Sequence, residues 1–396
     1  GLKFINPTLA AAHPFDHGAA AILHPSVEKT ASYLGVDAAF YQTLFESLKD
    51  DLPLLLPELL GPLTMPKYPY KLAKFGIKAL TSASFFARQF QTMEAKALWA
   101  GMAAHAMQPL TNLATSAFGL MLTSAAHLNN WPIPKGGSQS IANALEQHFK
   151  ALGGHIEMDQ MVESIHDLPP ASLTLLDVTP RQLLNMAGDI LSPLYKYRLN
   201  QYAYGMGVFK MDWALREPTP FTALACRQAG TIHLGNTFEE IKHAELLTAR
   251  GKHVDLPFVI FTQPSVFDAT RAPKGKHTAW AYCHVPHGST RDMTSAIENQ
   301  IERFAPGFKD IILQRHVMNT KDMEMYNPNY VGGDINGGIQ NITQLYSRPI
   351  WRKSPYQTSA KGIYLCSSST PPGGGVHGMC GFHAAKQALR DMYHIY

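Results

Sequence analysis

The chain has 396 residues and a net charge of +4, with 45% apolar residues and only 16% Asp, Glu, Lys and Arg. So few charges exclude a disordered or solvating chain and require large buried surfaces, and the length provides for two or three domains. No run of four or more Lys or Arg occurs, so nucleic acid has no electrostatic footprint here.

The first 25 residues read as a hairpin turning around His13-Pro14-Phe15-Asp16-His17-Gly18, with Ala20-Ala21-Ile22-Leu23 returning. Helical spacing follows over residues 26–34 and 37–49, a Pro-rich connection covers 52–69, and helices fill 70–128. From Ala97 to Pro134 there is no Asp, Glu, Lys or Arg. His105, Gln108, Pro109, Asn112 and His127 interrupt that stretch, so it lacks the roughly 18 clean apolar residues of a spanning helix. Buried helices are expected, with peripheral membrane contact as the alternative.

Trp131-Pro132-Ile133-Pro134-Lys135-Gly136-Gly137-Ser138 punctuates the chain. Behind it Ile141, Leu145 and Phe149 recur at helical spacing until Gly153-Gly154 stops the helix. Residues 155–158, 161–165 and 173–178 read as short strands. Between 182 and 350, strand-like runs (202–209, 258–262, 278–285) alternate with helices (237–249, 291–304). A strand over 361–366, a Gly/Ser/Pro loop and a last helix with Phe382, Ala385, Leu389 and Met392 on one face complete the pattern. This is α/β material with an α+β insertion.

Gly373, Gly375 and Gly378 satisfy GxGxxG between that strand and that helix. Glycines let backbone N–H groups converge, and the helix N-terminus adds partial positive charge, which together cradle an anion or a polar ring edge. Too little chain follows Gly378 for the second strand and acidic residue of a complete dinucleotide-binding unit; a plain tight turn is the alternative. Gly136-Gly137-Ser138 is a second such turn. Val331-Gly332-Gly333-Asp334-Ile335-Asn336-Gly337-Gly338 is a third, in which Asp334 reads as an Asx-turn capping its own backbone. Eighteen histidines tempt a metal reading, but none falls in a zinc-type frame, and no metal is expected. Cys226, Cys283, Cys366 and Cys380 form no CxxC pair, and no signal-peptide pattern follows Gly1, so reduced thiols and a cytoplasmic location are expected.

Taken together these motifs are specific. Lys361-Gly362-Ile363-Tyr364-Leu365-Cys366-Ser367-Ser368-Ser369-Thr370-Pro371-Pro372-Gly373-Gly374-Gly375-Val376-His377-Gly378-Met379 resembles the C-terminal FAD signature of phytoene desaturase/amine oxidase-type flavoproteins. The Trp131 to Ser138 element is similar to that family's central PxGG motif, and Asp177-Val178-Thr179-Pro180-Arg181 to the strand-to-helix turn after it. Asn327-Pro328-Asn329-Tyr330-Val331-Gly332-Gly333-Asp334 resembles one branch, the bacterial relatives of a pyridine nucleotide-disulfide oxidoreductase domain-containing protein.

The resemblance implies an α/β fold: a split, incomplete Rossmann-like FAD-binding domain with an interleaved α+β substrate domain. The segments would be 1–130 (substrate or cap, largely helical), 131–185 (middle of the FAD domain), 186–350 (substrate domain) and 351–396 (end of the FAD domain). It also implies a truncated N-terminus, because the family begins with a βαβ unit for the ADP half of FAD. This chain alone would then hold FAD weakly or not at all and expose apolar surface. Gly374, Gly375, Val376, His377, Gly378 and Met379 would face the flavin N1/O2 edge, Ser367 the pyrophosphate and ribityl chain, and Val162 the adenine, while Gly136 and Gly137 close against the ring.

The function expected is oxidation of an apolar small molecule by hydride transfer to flavin; the alternative is a non-catalytic carrier of an apolar ligand. His377 is the one titratable side chain in the cradle and hence the candidate proton donor, a structural cap being the other role open to it.

Overall fold

The computed structural model describes residues 1–395. After β1 (Phe4–Ile5), strands β2 (Leu9–Pro14) and β3 (Ala20–Leu23) form the expected hairpin. Helices α1 (Val27–Ala31), α2 (Ala38–Leu59), α3 (Pro69–Ala79), α4 (Ala83–Phe86), α5 (Met93–Ala103) and α6 (Thr115–Asn129) follow. The Pro-rich stretch is not a connection at its start, because α2 continues through Pro53 and Pro57. Those prolines are four residues apart on the exposed face, where the ring and the lost N–H disturb no packing.

Strand β4 (Ile133–Pro134) pairs with β1, and α7 (Gln139–Ala151) leads to β5 (Thr174–Leu176), α8 (Pro180–Ala187) and α9 (Pro193–Leu199). The chain then builds β6 (Gly207–Leu215), β7 (Ala229–Leu234), α10 (Phe238–Ala249), β8 (Val259–Thr262), β9 (His277–Val285), α11 (Thr294–Phe304), β10 (Ile312–Met318) and α12 (Thr320–Tyr326). It ends with β11 (Ile363–Leu365) and α13 (Met379–Tyr393).

Seven strands form one mixed sheet in the order β10-β6-β9-β8-β7-β2-β3. Alternation sorts its residues: Phe209, Met211, Trp213, Val259 and Phe261 meet Ile297, Ile301 and Phe304 of α11 on one face. Ile260 and Tyr282 point to the other, against α2, α5 and α6. Strand β2 is buried along its whole length, and its Ala10 and Ala11 let α5 approach through Ala97 and Leu98. In α6, Gly119 makes room for the Trp99 indole, since a Cβ there would lie 2.7 Å from Cζ3. Trp99 Nε1–H in turn donates to Ala83 O at 3.0 Å. The charge-free segment is thus mostly interior, as expected of buried helices. Segment 1–130, expected as a largely helical cap, also contributes β2 and β3 to the sheet of segment 186–350.

A second, smaller unit is built on β5 and β11, which run parallel, Leu176 opposite Leu365. It joins the middle and C-terminal segments. Residues 155–158 and 161–165, expected as strands, are irregular up to a 3-10 turn at Ile165–Asp167. A short apolar alternation becomes a strand only where a partner supplies hydrogen bonds, and the β5 edge away from β11 pairs with no described strand. Helix α7 buries none of its residues, and Leu145, Phe149, Leu152, Met158 and Met161 are exposed. The exposed apolar residues lie on this helix and the irregular stretch after it.

Candidate functional site

Both parallel strands end at the same place. After Leu176 the chain turns through Asp177, Val178 and Thr179 into α8, with Pro180 at the first helical position. After Leu365 it runs through the Ser/Gly loop into α13. Ser367 Oγ–H donates to Val178 O at 2.8 Å and accepts from Ser369 N–H at 3.2 Å, so one hydroxyl locks the two turns together. Thr370 Oγ1–H donates to Ser367 O at 2.7 Å. Outside these carboxyl ends lies a cleft of about 650 Å³, the position where open parallel sheets bind ligands. Asp177, Thr179, Asn329, Tyr330 and Asn336 line it together with Ser367 and the 373–378 run.

A buried cation supports this cleft from below. Arg348 is fully buried, and its guanidinium donates to Ser368 O at 2.8 Å and Ile339 O at 2.9 Å, tying the Gly332–338 turn to the Ser/Gly loop. Nη1 also lies under Gly373, where a Cβ would approach it to 2.9 Å. Asp334 is the Asx-turn the sequence suggested: Oδ1 accepts from Asn336 N–H at 2.8 Å, and Oδ2 from Gly205 N–H at 2.7 Å and Gly338 N–H at 3.1 Å. Burial raises its pKa, while these N–H groups and the charge of Arg348 oppose the rise.

The glycine loop is shaped for close backbone approach. Gly373 and Gly375 have φ of +107° and +145°, which side-chain-bearing residues rarely adopt. Gly378 caps α13 in the left-handed conformation, and no side chain bonds the first turn from the cap position. Met379 N–H donates to His377 Nδ1 at 3.0 Å, so that nitrogen is the acceptor and His377 acts as a local cap. Burial lowers the His377 pKa and the neighbouring His383 adds to this, against the Gly373 carbonyl. Burial pushes the Cys366 thiol up to about 12 and raises Cys380, so neither is a thiolate nucleophile at neutral pH.

Behind the cleft-lining Asn336 lies a buried, methionine-rich cluster. Asn336 Nδ2–H donates to Met107 Sδ at 3.0 Å, and Met107 packs with Met206, Val208 and Met323, bordered by Tyr282 and Tyr330. Gln108 Nε2–H donates to Gln340 O at 3.0 Å. The charge-free segment therefore backs the cleft-lining Asn336 through Met107 without lining the cleft itself, while α5 and α6 pack into the sheet core.

Of the residues singled out in the sequence, Ser367, Gly374, Gly375, Val376, His377 and Gly378 line this cleft, and Met379 starts the helix behind it. Gly332-Gly333 flanks it through Tyr330 and Ile335. Gly136-Gly137 does not line it: Gly136 N–H donates to Asp268 Oδ2 at 2.6 Å, and Gly136 O accepts from Arg271 Nη1 at 2.6 Å. Val162 sits in the irregular stretch, also outside the lining. Two of the three glycine turns meet; the third packs on the loop before β9. Arg348 and Met107 escaped the sequence reading, because an isolated Arg between Ser347 and Pro349 carries no local signal of burial; Asn336 was seen only as part of the third glycine turn. Among the described residues, no group of three or more His, Cys, Asp or Glu is placed to hold a metal ion.

No family model matches the chain. It is 32% identical over 241 residues, 56% of its own length, to pyridine nucleotide-disulfide oxidoreductase domain-containing protein 2 of Rattus norvegicus, covering 40% of that protein. It is 24% identical over 276 residues, 62% of its length, to the neurosporene-forming phytoene desaturase of Rhodobacter capsulatus, covering 51% of it. The chain thus spans between two-fifths and about half of these curated relatives. Among solved structures, an oxidoreductase from Methanosarcina mazei superposes with a TM-score of 0.59 at 13% identity, covering 98% of this chain and 82% of that one. Putrescine oxidase bound to putrescine gives a TM-score of 0.55 at 12% identity, covering 99% and 83%. These likenesses show that the chain shares the fold of these oxidoreductases.

Proposed function

We propose that this chain provides the flavin-ring and substrate site of an FAD-dependent oxidoreductase that takes hydrogen from an apolar organic molecule. The similarity to named oxidoreductases supports the class. One observation carries the assignment to a site: the carboxyl ends of β5 and β11 open onto a glycine-rich loop and the N-terminus of α13.

The residues fit a flavin. Val376, 94% exposed, projects an apolar side chain beside backbone that no Cβ blocks, and the α13 dipole offers partial positive charge. In this reading Gly374 to Met379 face the ring edge and Ser367 the ribityl-phosphate side; the roles of Val162, Gly136 and Gly137 rest on the resemblance alone. FAD, when bound, supplies the two-electron acceptor that this chain's side chains lack. The protein's own contribution is to orient: Tyr330, Ile335 and Val376 offer apolar carbon a surface at the cleft. The buried Arg348 charge beneath Gly373 favours negative charge developing on that side of the cleft. His377, occupied as a cap at Nδ1, has Nε2 left for a proton.

Purification of the protein from its full reading frame tests this. Flavin absorbance that co-purifies and is lost on denaturation is the expected result. A colourless protein that neither FAD nor FMN at millimolar concentration turns yellow would overturn it and favour the carrier reading.

A further inference from the structure

We infer that a hollow between the end of α9 and the loop over residues 343–351 binds a nucleoside diphosphate, its base stacked on Trp351 and its phosphates held by Arg198. This site is separate from the cleft and does not depend on the flavin assignment.

The hollow measures about 390 Å³, with Arg198 and Gln201 on one side and Thr343, Ser347, Ile350 and Trp351 on the other. Small-molecule sites run from about 300 to 1,000 Å³. It shares no lining residue with the cleft. Its back wall is fixed: Tyr202 O–H donates to Gly337 O at 2.7 Å. The Gln344 amide donates to Ala203 O at 2.9 Å and accepts from Ala203 N–H at 3.1 Å.

Two side chains at the rim have nothing to do within the fold. Trp351 is 71% exposed, and among the described residues it stacks on no ring and its indole N–H has no acceptor. A bare indole is a stacking platform, and every base offers it a π-face. Arg198 has neither an ion pair nor a side-chain hydrogen bond among the described residues. A free guanidinium is the fork that takes phosphate oxygens in pairs.

The surrounding charge favours an anion. No carboxylate lines the hollow, and no Asp or Glu occurs from residue 190 to 211 or from 335 to 390. Lys196, Arg352 and Lys353 add positive charge on the same two segments. Behind Tyr202 the buried Asp334 is matched by Arg348, so that pair adds little net charge. A sugar can be held between base and phosphate. Thr343 and Ser347 spend their hydroxyl protons on Asn341 Oδ1 and Thr343 O, which leaves their lone pairs to accept from ribose hydroxyls. One ring beside one hollow suits a single nucleotide, whereas a strand needs successive rings along a groove.

Isothermal titration of ADP into the protein expressed from its full reading frame tests the inference, with FAD present at saturation to fill any site for its own ADP half. One ADP per chain is expected. Trp351→Ala should weaken ADP and adenosine alike by about tenfold, the loss of one stacked base, while Trp351→Phe keeps a ring and most of the affinity. Arg198→Gln should weaken ADP at least tenfold and leave adenosine unchanged. Neither substitution should move the melting temperature, since both side chains are exposed. Absence of ADP binding under these conditions would overturn the inference, and so would binding indifferent to both substitutions. Inorganic pyrophosphate held as tightly as ADP would reduce the hollow to an anion site and overturn the assignment of the base.

Discussion

His284 and Glu245 form a hydrogen-bonded pair inside the fold: Nδ1–H lies 2.9 and 2.8 Å from the two carboxylate oxygens, and both side chains are 2% exposed. His284, on β9, is paired across the sheet with Val208, a member of the buried methionine cluster. Among the described residues its Nε2 has no hydrogen-bond partner. Removing Glu245 would strand the imidazole in a dry interior, so Glu245→Leu should cost about 3–5 kcal/mol in urea unfolding. The double substitution Glu245→Leu/His284→Phe should recover a large part of that loss. Full additivity of the two single effects would show that the pair is not coupled.

Acid should weaken the protein well above the usual carboxylate range. Burial lowers His13, His105 and His127 to about 4 and His233 further, so all four are neutral when folded. His105 and His233 also share one proton between Nε2 atoms 3.0 Å apart. In the unfolded chain they titrate near 6.5, so it binds more protons below that pH and stability falls as pH falls from about 6.5 to about 4. Asp177 and Asp334, raised by burial, act in the opposite direction, but His24, His253, His277, His377 and His383, also lowered by burial, add to the four. Melting temperatures at pH 7.5 and 5.0 should differ by several degrees; equal values would contradict the burial of these rings.

Arg348 holds two loops with one charge. Arg348→Met should cost about 3 kcal/mol, because it leaves the half-buried Ser368 and Ile339 carbonyls without these donors. Arg348→Lys should not rescue it, since an ammonium cannot bridge both loops as the planar fork does. Faster proteolytic cleavage within residues 367–378 would report the same loss locally.

At the cleft rim the separation of fold from ligand binding can be read at Val376. Its exposed side chain packs on nothing, so Val376→Asp should leave the melting temperature within a degree or two. It would also place negative charge beside the proposed ring edge, and flavin affinity should fall at least tenfold. Gly375→Asp should lose flavin as well, but its Cβ would approach His377 Cδ2 to 2.8 Å and disturb the cap. An unchanged flavin affinity in Val376→Asp would move the ring elsewhere.

The open face of α7 predicts a solubility effect. Leu145→Glu with Leu152→Lys should reduce light scattering on concentration and change stability by less than about 0.5 kcal/mol, because neither side chain is buried.

Much of the architecture is local and was readable as such. Alternation marked β8 and β9, helical spacing marked α10 and α13, and Gly153-Gly154 marked the end of α7. The Asx-turn at Asp334 and the strand–loop–helix around Gly373 to Gly378 were legible because short-range hydrogen bonding and glycine's conformational freedom fix them within a few residues. The order of the glycine motifs likewise carried the resemblance.

What the chain's own pattern could not decide is which distant segments meet. Ser367 and Val178 are 189 positions apart, and their hydrogen bond exists only because β11 chose β5 as its parallel partner. Burial of Arg348 and the packing of Met107 against Asn336 depend on that same assembly. So does the failure of residues 155–165 to become strands for want of a neighbour. Local sequence sets what each segment can be. Strand pairing and burial are gained only between segments brought together by the whole fold, and tertiary structure alone decides those.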